Sequence, residues 1–218
     1  MRKIWPAFLA ILASAAFALS VFNRLPEQVV SHWGADGTPD GWMSRGAMVI
    51  EIHCIMFVIA AVLALAPALT RMLGPTPNNF ELHAGSYWLV VNASLVFVAG
   101  ATIAAVGMNL GWKFHVEWLR FALGLLLMTI GNVMTRARPN WIFGVRTSWT
   151  LSSDKSWRAT NRAFGYGFVI LGLLSIVATA IRPTAMVRVL TAGSIAISFV
   201  SLVVSYIVWK NDPLARHE

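Results

Sequence analysis

The chain is short of cysteine, of charge and of recognisable catalytic patterns. Cys54 is the single cysteine among 218 residues, which excludes an internal disulfide framework and any zinc site built from cysteine pairs. Charged residues make up 12%, half the usual share for a soluble domain, while 57% are apolar. That balance excludes an ordinary soluble globular domain, and so much apolar surface excludes a solvated, disordered chain as well. There is no Ser-His-Asp arrangement in a recognisable context, no glycine-rich phosphate loop ahead of a helix and no pair of carboxylates on one helix face. Glu81 and His83 stand two residues apart, as do His115 and Glu117, so neither pair shares a helix face. These side chains, and His217 in the tail, read as solvated. Neither an enzyme nor a bound cofactor is expected.

What is abundant is long apolar runs. Six segments, approximately 4–22, 48–69, 85–108, 118–135, 163–181 and 188–209, meet the requirement of roughly 20 residues to cross a bilayer core. The expected fold is therefore all-α, a polytopic integral membrane protein with six transmembrane helices. Residues 1–218 form one membrane domain, with a two-helix unit at 1–70 and a four-helix unit at 71–218. The first run begins like a signal peptide, Met1-Arg2-Lys3 followed by apolar residues. Its uncharged stretch continues to Phe22, beyond the roughly 7–15 apolar residues of such a peptide, so an uncleaved helix is expected. Arg120, near the start of the fourth run, can snorkel its head to the interface. Cys54 reads as a small buried apolar residue.

Lysine and arginine in the loops orient the spans. With the N-terminus inside, Arg2, Lys3, Arg71, Arg136, Arg138, Arg146, Lys155, Arg158, Arg162, Lys210 and Arg216 lie on the cytoplasmic side, and the six others, such as Arg24 and Arg45, lie outside. Both termini are then cytoplasmic. The net charge of +8 reads as a topology signal and a surface for membrane lipids rather than as direct nucleic acid binding. Trp5, Trp88, Trp112, Trp118 and Trp209 fall near span ends, where interfacial anchoring accounts for them. Gly100-Ala101-Ala104 and Gly193-Ala196 are small-residue patterns that allow close helix packing.

Two connections are not generic. The outer loop, residues 23–46, holds Glu27, Asp36 and Asp40 with His32-Trp33 and the turn-forming run Thr38-Pro39-Asp40-Gly41. It reads as a compact, specifically folded lid. The cytoplasmic segment, residues 135–163, spaces Trp141, Trp149 and Trp157 by eight. Pro139-Asn140 and Gly144 break the preceding helix. Ser152 or Ser153 ahead of Asp154 reads as a helix start, from which a helix runs through Asn161-Arg162 into the fifth span.

These residues carry a resemblance. Leu25-Pro26-Glu27-Gln28-Val29 through His32-Trp33, then Gly37-Thr38-Pro39-Asp40-Gly41-Trp42, is similar to the N-terminal motif of the SdpI family of bacterial membrane proteins. Gly131-Asn132, Arg138-Pro139-Asn140, Gly144-Val145-Arg146-Thr147, Trp149-Thr150-Leu151 and Trp157-Arg158-Ala159-Thr160-Asn161-Arg162 resemble that family's C-terminal signature. The resemblance implies a multi-pass protein of the bacterial inner membrane that protects its producer against a secreted, membrane-active peptide toxin. It also implies signalling, by holding a cytoplasmic repressor protein at the membrane. A small-molecule or ion transporter or exporter is the competing reading, because fold does not fix function.

Two sets of candidate site residues follow. On the outer side, Glu51 and His53 near the start of the second span diverge by about 200° on a helix, so only one of them can join His32, Trp33 and Asp40. Such a set suits a hydrogen-bonded cluster, a proton-sensitive or ligand site, or a divalent cation. Its spacing matches no metal motif, and no metal is assigned. On the inner side stand Asn132, Pro139, Asn140, Gly144, Arg146, Thr147, Trp149, Thr150, Trp157, Thr160 and Asn161. They read either as staples of an interfacial loop or as a docking surface, with Arg146 suited to a carboxylate or phosphate. Asn132 is expected to bond a neighbouring helix or this loop.

Overall fold

The computed structural model describes residues 4–34, 36–73, 80–140 and 142–215. Trp141 and His217, and the side chains of Arg71, Glu81 and His83, lie outside the described residues, as do Arg2, Lys3 and Arg216. Seven α-helices are present: α1 Trp5–Ser20, α2 Ile52–Leu73, α3 Phe80–Asn109, α4 Glu117–Met134, α5 Ser148–Ser152, α6 Asp154–Ile181 and α7 Ala185–Lys210. Between α1 and α2 the chain forms an antiparallel hairpin, β1 Gln28–Trp33 with β2 Pro39–Ser44. One turn of π-helix, Ala47–Glu51, leads directly into α2.

Among the described residues five helical stretches are long and apolar enough to cross a membrane: Ala47–Leu69, Ala84–Asn109, Glu117–Met134, Asp154–Ile181 and Ala185–Lys210. The sixth expected crossing rests on α1. Its 16 residues span about 24 Å, short of the roughly 30 Å hydrocarbon core. α1 is nonetheless built into the protein interior, with Ala7, Ile11 and Ala18 fully buried. The fourth stretch begins earlier than its apolar run, because Ser153 caps α6 by accepting the Ser156 N–H and Asp154 follows in the first turn. This is the continuous helix expected from Asp154 into the membrane. The outer loop departs from an all-helical description, since its turn residues organise a two-stranded sheet.

Two apolar clusters hold α1, α2 and α3 together, one toward each end. Ala18, Val21, Leu25, Val29, Met48, Val49 and Val106 form the cluster beneath the hairpin. At the other end, Ile4, Ala7, Ile11, Ala84, Tyr87 and Val91 pack with Met56 and Ala60, and Ile142 and Phe143 from the α4–α5 connection dock against them. Tight backbone approaches join α4 to α6. A β-carbon at Gly131 would sit 2.5 Å from the Gly165 carbonyl oxygen, and one at Gly172 would sit 2.4 Å from that of Gly124. The expected packing pattern at Gly100 is not used, since a β-carbon there meets nothing within 4 Å. Gly193 takes up only the side chain of Leu171. Small residues promote association only where two backbones approach, and Gly100 faces no backbone.

Several polar groups inside the helices are paired across them. Ser14 on α1 meets His53 Nε2 at 3.0 Å, and His53 Nδ1 meets the Val49 carbonyl oxygen at 2.7 Å. A carbonyl only accepts, so Nδ1 of neutral His53 carries the proton and Nε2 accepts from the Ser14 hydroxyl. Asn92 Oδ1 on α3 accepts the Ala7 N–H, one of the donors a helix start leaves unpaired. Pro67 inside α2 has no N–H to give to the Leu63 carbonyl, and Tyr87 on α3 donates its hydroxyl there at 2.7 Å. Tyr87→Phe is expected to cost about 1 kcal/mol. In a Pro67→Ala background, where residue 67 supplies its own N–H, the cost should nearly vanish. A double-mutant cycle on thermal unfolding in detergent measures the difference.

Candidate functional site

Chemistry-bearing side chains collect at the two ends of the helices. At one end the hairpin is clamped by one asparagine. The Val30 N–H donates to Asn109 Oδ1 at 2.7 Å, and Asn109 Nδ2 donates to the Val30 carbonyl at 2.9 Å. A side-chain amide presents the donor and acceptor of a peptide unit, so Asn109, from the last residue of α3, acts as a one-residue neighbour strand. Asn109 Nδ2 also reaches the Ala105 carbonyl. Arg45 completes the seat, donating to the Leu25 carbonyl and lying 5.1 Å over the Phe22 ring.

The hairpin tip is closed by Gly34 and Thr38, whose N–H and carbonyl meet at 2.8 Å. Gly37 takes φ +84°, open to glycine at no steric cost. The Thr38 hydroxyl and then its backbone N–H donate to the Asp36 carboxylate and hold it below the usual carboxylate range. A depressed folded pKa contributes stability above the unfolded value and loses it as pH falls through the folded one. Near neutral pH, therefore, Asp36 is ionised and the turn is tied.

Of the outer candidates, His32 and Asp40 come together at 2.5 Å across the strands, both solvent-exposed. Trp33 is half-buried beside them. Glu51 is exposed, and His53 is buried against Ser14, away from that pair. Three of the five candidates are thus divided between a surface pair, His32 with Asp40, and a separate interior hydrogen bond of His53. Among the described residues no group of three or more His, Cys, Asp or Glu is placed to hold a metal ion. Cys54, expected to be buried, is exposed on α2, in a span where an uncharged thiol can lie against apolar surroundings.

At the other end the connection from α4 to α6 is a folded polar knot around Trp157. Trp157 is fully buried and donates Nε1–H to the Ala137 carbonyl at 2.9 Å. Asn161, one turn on, accepts the Val145 N–H through Oδ1. Asn140 Oδ1 accepts the N–H groups of Ile142 and Phe143, and Nδ2 donates to the Arg138 carbonyl, the local bonding by which Asn after Pro139 fixes a turn. Gly144 lies at φ +131°, and a β-carbon there would come within 2.7 Å of the Trp157 ring. Thr147 and Thr150 form a reciprocal cap on α5, and the Thr150 hydroxyl also reaches the Val145 carbonyl.

Trp149 stacks near Tyr206 and Trp209 of α7. Thr160 is fully buried on α6. Arg146 and Asn132 point outward. Asn132 corrects an expectation: it is exposed on α4, and among the described residues its side-chain amide bonds neither a helix nor this loop. Close packing at that level comes from Gly131 instead.

Sequence reasoning missed Asn109, Asn92, Ser14 and Asp212. Asp212, beyond the end of α7, is buried and accepts from the Ser153 hydroxyl, while Ser156 donates to the Ser205 carbonyl. The available signal was an amide or acid at a span end, a position where an unpaired polar group is costly.

Residues 136–209 match the SdpI/YfhL protein family. Residues 9–52 match a domain of unknown function, DUF1648. Over 211 residues the chain is 20% identical to a protein of Bacillus subtilis (strain 168) called immunity protein SdpI, covering 96% of this chain and 97% of that protein. No solved structure matches the chain.

Proposed function

We propose, from the premise that this chain is a member of the SdpI family, that it is an immunity protein of the bacterial inner membrane. In this reading it confers resistance to a secreted, membrane-active peptide toxin. The observation that carries the reading is the match to an immunity protein along nearly the full length of both chains. The hairpin with His32, Trp33 and Asp40 is the part that meets the toxin, and the Trp157 knot with exposed Arg146 is the part that signals inside by holding a repressor. Six crossings with both termini in the cytoplasm complete the proposal, α1 serving as the shortest.

Survival of sensitive bacteria challenged with such a toxin tests it, at equal membrane levels of each variant. The intact chain should protect. Asn109→Ala, which leaves both backbone groups of Val30 without their partner, should loosen the hairpin by about 1–3 kcal/mol and reduce protection. His32→Ala and the pair Asn140→Ala/Arg146→Ala locate protection in the outer or the inner end. Failure of the intact chain to protect against any toxin tried would remove the immunity role for those toxins. Solute flux into vesicles without protection would favour a transporter.

A further inference from the structure

We infer that the outer edge of β2 is a docking edge for an extended cationic peptide, which adds to the hairpin as a third strand. The partner's identity as the toxin rests on the immunity reading above; the edge itself is read from the hairpin. Both backbone polar groups of Val30 turn to Asn109, so they point away from β2. Val30 is paired with Trp42. In an antiparallel ladder, directly opposite residues share the same sense, so the N–H and carbonyl of Trp42 also point away, to the far side. Two positions on, Ser44 repeats the sense. One edge of the sheet is thus closed by an asparagine and the other is left open. Among the described residues β2 lies chiefly against β1 and the π-turn that follows it. Trp42 is 60% exposed.

An open edge is a template for another strand, which proteins blunt with lysine, proline, bulges or a cover. Pro39 and the register shifts do so toward the tip, which leaves Trp42 to Ser44 as the regular open edge. Here no lysine or arginine occurs from residue 25 to residue 44, while Glu27, Asp36 and Asp40 do, in a chain of net charge +8. Asp36 and Asp40 converge on the tip, while Glu27 lies at the base of the hairpin opposite Arg45. A β-carbon at Gly34 would lie 3.0 Å from Asp36 Oδ1 and 3.4 Å from Asp40 Oδ2. The local charge therefore repels an acidic strand and attracts a basic one, while Trp42 offers an apolar contact beside it. Strand addition draws affinity from main-chain hydrogen bonds and selects through alternate side chains. An extended segment alternating apolar and basic residues satisfies the open edge, the acids and the tryptophan together.

The test uses the full chain in nanodiscs of uncharged phosphatidylcholine and three fluorescent decapeptides. One alternates valine and lysine, one alternates valine and glutamate, and one is the lysine peptide with alternate amides N-methylated. The lysine peptide should bind about tenfold or more tightly than either of the others. Trp42→Pro removes one outward N–H and no rung of the β1–β2 ladder, a place where an edge strand tolerates proline. It should weaken the lysine peptide about tenfold while the unfolding temperature stays within a few degrees.

Should that variant fail to fold, the N-methylated peptide on the intact chain makes the same distinction. Equal binding of the methylated and unmethylated peptides would overturn the inference, since charge alone would then account for both. A dimer of the intact chain that Trp42→Pro dissociates would also overturn it, giving the edge to a second copy. Retained protection in bacteria by a Trp42→Pro chain that no longer binds the peptide would separate the edge from immunity and leave the immunity reading standing. Peptide binding without protection by the intact chain would do the reverse.

Discussion

Gly165→Val is expected to leave little stably folded protein in the membrane, and Gly131→Val the same. A β-carbon at Gly165 would stand 2.6 Å from the Gly131 carbonyl oxygen and 2.8 Å from the Thr135 backbone nitrogen. Those neighbours are backbone, not the ends of flexible side chains, so α4 and α6 must separate along their length. Overpacking in a well-filled interior ordinarily costs about 1–3 kcal/mol. Here the cost should exceed that range, because within a bilayer close packing is itself the main force between helices. The second contact, Gly124 with Gly172, would be pulled apart by the same movement. Gly100→Val is the matched control, with nothing within 4 Å of its β-carbon, and should stay within about 0.5 kcal/mol of the parent. Thermal unfolding in detergent and membrane abundance read both.

Gly144→Ala is expected to open the inner knot. Two penalties coincide there: a backbone at φ +131°, and a β-carbon 2.7 Å from the ring of a fully buried tryptophan. The strain alone is worth about 1–3 kcal/mol, and displacing Trp157 endangers its hydrogen bond to Ala137. A total loss of about 3 kcal/mol or more follows. Gly37→Ala separates the two penalties, since Gly37 also has positive φ but an open surrounding. It should cost only the strain. Trypsin cleavage after Arg136 and Arg146, both exposed at the rim of the knot, should be faster in Gly144→Ala and unchanged in Gly37→Ala. Loss of the folded knot without faster cleavage would contradict the assignment.

The residues that were legible in the sequence are those whose partners lie close along the chain. Ser153 ahead of Asp154 announces a helix start because a cap bonds three residues on, and Pro139-Asn140 announces a turn because Asn bonds its own next amides. The apolar runs mark the spans through the bilayer's thickness alone. Illegible were the pairings between helices. Gly131 and Gly165 are ordinary glycines until α4 and α6 are known to run against each other, and Gly100 looked the better candidate with Ala101 and Ala104 beside it. Either Glu51 or His53 could join His32 from the loop above, yet the partner that holds His53 is Ser14 on α1. Asn109 carried no signal in the sequence and is the hairpin's clamp.

That clamp gives α3 a mechanical character. The helix holds Val30 of the hairpin through Asn109 at one end, and near the other its Tyr87 ring lies 6.4 Å from Phe143, two residues from the knot at Val145. Tyr87 and Asn109 stand about 33 Å apart along one unbroken rod, with Asn92 bonded to α1 between them. A rod of that length tilted by about 5° around its middle displaces each end by about 1.5 Å, in opposite directions. That is enough to break a 2.7 Å hydrogen bond at one end while pressing an aromatic contact at the other. A load on the hairpin is therefore a torque on α3, and the knot around Trp157 sits at the far arm of the lever.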